Sequence, residues 1–226
     1  MKFPSLPTLL SFNGGYVDTL GFLALSGLFT AHVTGNFVTL GATAALGLGG
    51  ALSKLLALPM FCIVVFVSRL VCLKLQTTGR SPIRPLLVVK LMLFAGVAIY
   101  ALYHGPFHAD ETVVSLVVGL TLVSAMAIQN GLHRAHLPKA PPSTLMTGTT
   151  TQIMLDLADL LADPKVEEVA AAKARIRKMA VAVVTFAAGC GFGAAGYIYA
   201  PAAAFSLPAI LAAFALFAST AGAEAS

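Results

Sequence analysis

The sequence predicts an all-α fold: a polytopic membrane helix bundle made of two inverted repeats. Each repeat holds three spans and one short Thr-Gly-headed re-entrant or half helix. Three observations carry this. Hydrophobic residues make up 58% of the chain and charged residues 10%, whereas soluble domains carry about 25% charged residues; the mean hydropathy is +0.89. Apolar runs of spanning length recur along the whole chain. A polar motif also occurs twice: Thr34-Gly35-Asn36 opens one short apolar segment and Thr147-Gly148-Thr149 opens another, with the Thr-Gly steps 113 positions apart in a chain of 226. Self-similarity at half the chain length means duplication. It divides a single membrane domain into a first repeat, 1–109, and a second, 110–226.

A span needs about 20 mostly apolar residues. On that rule helices fall at 8–30, 54–75, 84–103, 111–132, 176–199 and 201–222. Two apolar segments remain, 33–49 and 144–162, each headed by a Thr-Gly step and slightly short for a clean crossing. Pro59, Pro85 and Pro208 are placed near helix starts, where a missing N–H is tolerated. The run from Asp163 to Lys178 reads as a solvated connecting helix. At the start, the apolar run contains Asn13, Gly14, Gly15 and Asp18 and has no small-x-small cleavage site. It therefore reads as a retained first membrane helix rather than a signal peptide.

Basic residues set the orientation. Lys74, Arg80 and Arg84 flank the connection between the second and third spans, while Arg134, Lys139, Lys165, Lys173, Arg175, Arg177 and Lys178 lie between the fourth and fifth. The connection from His104 to Glu111 has no Lys or Arg. The basic connections are cytoplasmic on this rule, and so are both termini, in a bacterial inner membrane. Segment 144–162 must then enter and leave on one side, and 33–49 does the same from the other, with Lys54 as the single dissenting charge. Three crossings per half invert the second copy relative to the first. Eight full spans with parallel repeats is the alternative, disfavoured because 132–140 and 163–178 are both basic.

Composition also excludes partners. The formal charge of +5 includes no basic run with interleaved aromatics, so nucleic acid is not expected. Cys62, Cys72 and Cys190 lack CxxC spacing and read as small buried hydrophobes, not as a disulfide or metal set. No nucleophile-elbow, zinc-protease, Walker or dinucleotide motif is present, so neither an enzyme, a cofactor nor a metal is expected. The expected partners are the lipid bilayer and a small-molecule solute. Gly- and Ala-rich surfaces also suit partner helices, a homodimer included.

The candidate site is built on the paired motifs. The first N–H groups of a helix lack internal partners, and irregular backbone survives in hydrocarbon only where it lines a cavity or packs on protein. Thr34 and Asn36 can cap such an end, Gly35 admits a close approach, and the helix dipole favours an anion. Thr147, Gly148 and Thr149 repeat the pattern. Two such ends brought together make a cradle for a small polar, anionic solute, whereas a plain packing motif is the other reading. Asp18 lies inside the first span, and an intramembrane carboxylate is a functional candidate for coupling; capping a neighbouring helix end is the alternative. Its counterpart by spacing is Asn130, beside Gln129, and both are assigned to solute binding. His32 could shuttle protons. His133, Arg134 and His136 read as a solvated cluster, and Asp156 and Asp159 as a helix end.

These motifs resemble the YoaK family of small bacterial membrane proteins, a domain-of-unknown-function family. The resemblance rests on Gly15-Tyr16-Val17-Asp18 leading to Thr34-Gly35-Asn36-Phe37-Val38. It rests equally on Ala127-Ile128-Gln129-Asn130-Gly131 leading to Thr144-Leu145-Met146-Thr147-Gly148. It extends over nearly the whole chain and implies about six spans and no established activity. Thr149 departs from the pattern, standing where the first repeat has Asn36. Three functions compete: a secondary transporter or facilitator, a selective channel, and a non-transporting scaffold.

Overall fold

The computed structural model describes residues 5–107, 112–162 and 166–223. Within them the chain forms eight α-helices: α1 (Leu6–Ala24), α2 (Gly35–Leu46), α3 (Ala51–Thr77), α4 (Ile83–His104), α5 (Thr112–His136), α6 (Met146–Ala162), α7 (Val166–Tyr199) and α8 (Ser206–Ala223), the last preceded by a 3-10 turn at Ala203–Phe205. Four of them, α3, α4, α5 and α7, are long and apolar enough to cross a membrane. The six expected spans are thus not all alike. α1 falls short because Asn13, Gly14, Gly15 and Asp18 dilute its apolar run, and α8 is a shorter apolar helix. At a rise of 1.5 Å per residue, the 12 residues of α2 cover about 18 Å and the 17 of α6 about 25 Å, less than the ~30 Å of hydrocarbon.

Three boundaries differ from the sequence reading, each for a local reason. The first helix stops at Ala24 instead of running to 30, because Ser26 and Gly27 take positive φ (54° and 79°). The Gly27 N–H donates back to the Phe22 carbonyl, a left-handed helix stop. Of the run from Asp163 to Lys178, residues 163–165 lie outside the described residues, and from Val166 on it is not a separate connecting helix. From Val166 the chain has no Gly or Pro until Gly189, and Ala-rich sequence carries one helix of 34 residues through to Tyr199. Pro59 lies inside α3, not near its start, since α3 begins at Ala51.

The packing repeats as the sequence does. α1 lies along α7 as α5 lies along α3; α2 packs on α3 as α6 packs on α7; α4 meets α5 as α8 meets α1. The α4–α8 and α1–α5 contacts map onto themselves under the same exchange. α1 and α5 form the inside. Over half of the apolar stretch of α5 is buried (56%), against 11% for α3 and 17% for α7. The outer helices turn Phe66, Val184 and Phe192 outward, and Cys62 is exposed there, not buried. In a membrane those faces meet lipid.

Equivalent pairs are also tied by equivalent polar contacts. The Lys54 ammonium, buried, donates to Thr43 Oγ1 at 2.5 Å and to the Gly49 carbonyl at 3.2 Å, joining α3 to the end of α2. Arg175 forms a two-pronged ion pair with Asp156 at 2.6 and 2.7 Å, joining α7 to α6. Thr43 and Asp156 are again 113 positions apart. Lys54, the charge that disagreed with the expected orientation, is therefore a packing cation and not a loop charge. Asp156 likewise serves the α6–α7 contact.

The α1–α7 crossing depends on small residues. A Cβ on Gly15 would overlap the Phe186 carbonyl, one on Gly189 the Phe12 carbonyl, and one on Gly193 the Tyr16 carbonyl. Gly189 and Gly193 are a small-xxx-small pair that lets the two backbones touch. Gly191, between them in sequence, faces open space. Gly189→Val should therefore lower the thermal unfolding midpoint in detergent, corresponding to ~2 kcal/mol or more because its opponent is backbone. Gly191→Val should leave the midpoint unchanged, and equal effects from the two would rule out the close crossing.

Candidate functional site

α1 ends in a break, residues 25–34, whose backbone N–H groups cannot be left bare inside a bundle. Asp18, six residues before the end of α1, supplies their acceptor. Its Oδ1 accepts from the Thr30 and Ala31 N–H groups at 2.8 Å each and from His32 N–H at 3.4 Å. Its Oδ2 lies 2.6 Å from His32 Nδ1. The carboxylate is buried, while the His32 side chain is 31% exposed. Asn36 closes the other side of the break: its amide accepts from Phe29 N–H at 2.9 Å and donates to the Phe29 carbonyl at 2.8 Å. Asp18, His32 and Asn36 thus meet around one turn.

The second break, between α5 and α6, is held by contacts between neutral side chains instead of by a carboxylate on backbone N–H groups. Thr144 Oγ1 donates to Asn130 Oδ1 at 2.6 Å, with the same 14-residue separation as Asp18 and His32. Gln129, one residue earlier, is wholly committed. Its Nε2 donates to the Leu10 carbonyl (2.8 Å) and Ser143 Oγ (3.2 Å), and its Oε1 accepts from Lys90 Nζ (2.5 Å) and Asn13 Nδ2 (3.3 Å). α1, α4, α5 and the 143–144 turn meet at this amide.

The Thr-Gly steps themselves lie differently from expectation. Thr34 and Thr147 are exposed, as is Gly148, and Gly35 is half-buried. Thr34 makes no side-chain cap. The first N–H groups of α2 are already used, Gly35 donating to His32, Asn36 to Val33 and Phe37 to Thr34. That leaves little free donor capacity for an anion at this end. Gly148 faces open space and has no packing need to be glycine. Thr149 is buried and bonds back to the Leu145 carbonyl at 3.3 Å. Among the described residues no hydrogen bond links the Asp18 network to the Gln129 network. The structure therefore brings Asp18 and Asn36 to one break, and Gln129 and Asn130 to the other, while the helices that carry the two Thr-Gly steps pack on different neighbours, α2 on α3 and α6 on α7.

Lys90 is the residue that motif reasoning missed. It is 1% exposed in the interior of α4. Its ammonium has the Gln129 oxygen at 2.5 Å and the Phe94 ring at 5.5 Å, and no carboxylate partner among the described residues. Asn13 Oδ1, on the side chain that shares the Gln129 oxygen with Lys90, has no partner among the described residues. The signal was present in the sequence: Lys90 is the only Asp, Glu, Lys or Arg from 85 to 109. A lone charge in an apolar helix is a site candidate as Asp18 is.

The depths of these groups agree. Asn13, Lys90 and Gln129 each stand seven residues from a helix end (Leu6, Ile83 and His136), about 10 Å along the axis. Those three ends lie at one end of the bundle. Asp18 is six residues from the opposite end of α1, about 9 Å. A cavity of about 260 Å3 opens beside the Gln129 network, lined by Asn130, His133, Arg134, Ser143 and Thr144 among others.

Comparison with known proteins agrees with a membrane bundle. The model of a family described as a protein of unknown function, DUF1275, matches residues 6–218, and the chain belongs to that family. It is 28% identical over 162 residues to the UPF0700 transmembrane protein YoaK of Bacillus subtilis (strain 168), covering 70% of this chain and 68% of that one. No solved structure matches. The chain is a multi-pass membrane protein.

The Asp18 cap leads to a separable outcome. Asp18→Ala leaves at least two buried N–H groups without an acceptor, at about 1–3 kcal/mol each, and should sharply lower the unfolding midpoint. Asp18→Asn keeps an oxygen for Thr30 and Ala31 and should recover most of that loss. Equal destabilisation by both would show that the charge, not the acceptor, holds the turn.

Proposed function

We propose that this family member is a secondary transporter or facilitator for a small anionic solute in the bacterial inner membrane. The observation that carries the reading is Lys90: a fully buried ammonium with a single amide oxygen and an aromatic ring around it. Burying a charge without a counter-charge costs several kcal/mol. A bound anion would offset that cost, and the unpartnered Asn13 Oδ1 beside it would suit an acidic proton or a bound water on the solute. The cavity bounded by Asn130, Arg134 and Ser143 is the route in, and Ser143 contacts Gln129 at its inner wall.

The repeats are read as inverted. The start of α1 and the end of α5 share one end of the bundle, so these equivalent helices run in opposite directions, and packing partners exchange between the halves. With Arg84, Arg134 and Arg177 at that end, both termini are assigned to the cytoplasm by the positive-inside rule. The Asp18–His32 contact then stands toward the outer side, with the Lys90 network toward the inner side. Two such stations on one internal helix suit alternating access. The His32–Asp18 pair holds the coupling proton, and Thr34, Gly35, Thr147, Gly148 and Thr149 belong to the helix ends that move around the site.

Proteoliposome flux tests this. Purified protein should take up small carboxylates or inorganic anions with counterflow, and Lys90→Met should reduce uptake at least tenfold while leaving the unfolding midpoint unchanged or higher. Undiminished uptake by Lys90→Met refutes the anion site. Dissipative flux without counterflow would make the protein a channel, and no flux with any anion would make it a scaffold. Asp18→Asn, which keeps the cap, should retain counterflow but lose its dependence on a proton gradient. Uptake still driven by the gradient would remove Asp18 from coupling.

A further inference from the structure

At the end of the bundle where α1 begins, a cavity of about 620 Å3 lies between the first turns of α1, the α5–α6 connection and the flank of α7. Its walls divide by chemistry. Val181, Ala182, Leu137 and the prolines at 7, 138 and 141 make an apolar side, and Lys139, Arg177 and Lys178 bring three cations to the same space. Two hydrogen-bonding groups line it and are unused among the described residues: Ser11 Oγ, on a residue 1% exposed, and His136 Nε2.

Its place in the chain also matters. Arg177 and Lys178 are the last charged residues of α7 before its apolar run. Ser5 and Thr8 open α1, and Lys139 follows the end of α5. The cavity therefore sits at the level where the hydrocarbon begins. The volume is within the ~300–1,000 Å3 of ligand sites, large for a bare inorganic anion and lined mostly by apolar side chains. Apolar walls below a cluster of cations, at the membrane boundary and between helices, match one ligand chemistry: a phosphate diester carried on a hydrocarbon chain.

We propose that this cavity binds the head group of an anionic phospholipid. The phosphate lies against Arg177, Lys178 and Lys139, Ser11 and His136 donate hydrogen bonds to head-group oxygens, and the start of an acyl chain runs along Val181. Charge complementarity selects the lipid, and the buried Ser11 hydroxyl gives the site a floor that a diffuse basic surface lacks. The site is separate from the Lys90 network and does not depend on the transport reading.

The test uses the full chain in nanodiscs of phosphatidylcholine with increasing phosphatidylglycerol, read by the thermal unfolding midpoint and by native mass spectrometry of retained lipid. The wild type should retain phosphatidylglycerol over phosphatidylcholine and gain stability with it. Arg177→Gln with Lys178→Gln should weaken retention about tenfold, whereas Lys74→Gln with Arg80→Gln, on exposed residues elsewhere, should leave it unchanged. Val181→Trp, with every cation intact, should also reduce retention by filling the apolar wall, which keeps the test usable if the double variant folds poorly. Equal losses from the two charge pairs would mean diffuse attraction and would overturn the site. So would equal retention of phosphatidylcholine, or equal stabilisation by millimolar inorganic phosphate in pure phosphatidylcholine.

Discussion

A helix that breaks inside a bilayer must find partners for the backbone it frees, because lipid offers none. Among the described residues the chain breaks after α1 and after α5, and polar side chains of those helices bond to each break, to backbone N–H groups in the first and to side-chain hydroxyls in the second. Asp18 collects the N–H groups of Thr30 and Ala31, and Asn130 with Gln129 holds Thr144 and Ser143. Both caps lie on the inner helices, α1 and α5, because only there can a carboxylate or amide stay away from lipid. The inner position of α1 in turn requires the glycines through which α7 touches its backbone. Polar caps, broken helices and glycine crossings are therefore one arrangement: removing the caps would leave the breaks unsupported, and without the glycines α1 could not sit so close to α7.

The two halves solve the same problem with different charges. A carboxylate meeting an imidazole in the first repeat becomes an amide meeting a hydroxyl in the second. Lys54 on Thr43 in the first becomes Arg175 on Asp156 in the second. Each substitution keeps a donor–acceptor pair and changes the charge it carries. The result is a matched pattern of helix contacts carrying side chains that do not match in charge.

The helical membrane architecture was legible because hydrophobic length is a property of the chain alone. The Thr-Gly pairs lie beside both breaks, and Asp18 and Asn130, paired by spacing, each bond to the break that follows their helix. What the sequence could not reveal is which way those residues point. Thr34 and Thr147 announce the breaks but face outward, while the groups that gather in the interior, Ser143, Asn13 and Lys90, belong to no repeated motif. Helix ends were harder still: the stop at Ser26-Gly27 looks like ordinary apolar helix until the positive φ angles are seen. The Ala-rich start of α7 hides the join between its charged and apolar parts.

Lys90 sits where this division matters most. Gln129 must hold the second break through Ser143 and also bridge to Leu10 on α1, and both are tasks for its amide nitrogen. Its oxygen is left for Asn13 and Lys90. A bundle needing only mechanical closure could satisfy that oxygen with Asn13 alone and place leucine at 90, which would cost no charge desolvation. An ammonium there adds a cation that Gln129 can orient but cannot neutralise, since an amide carries no net charge. The residue at 90 thus exceeds what the fold requires, and that excess makes it the strongest functional candidate in the bundle.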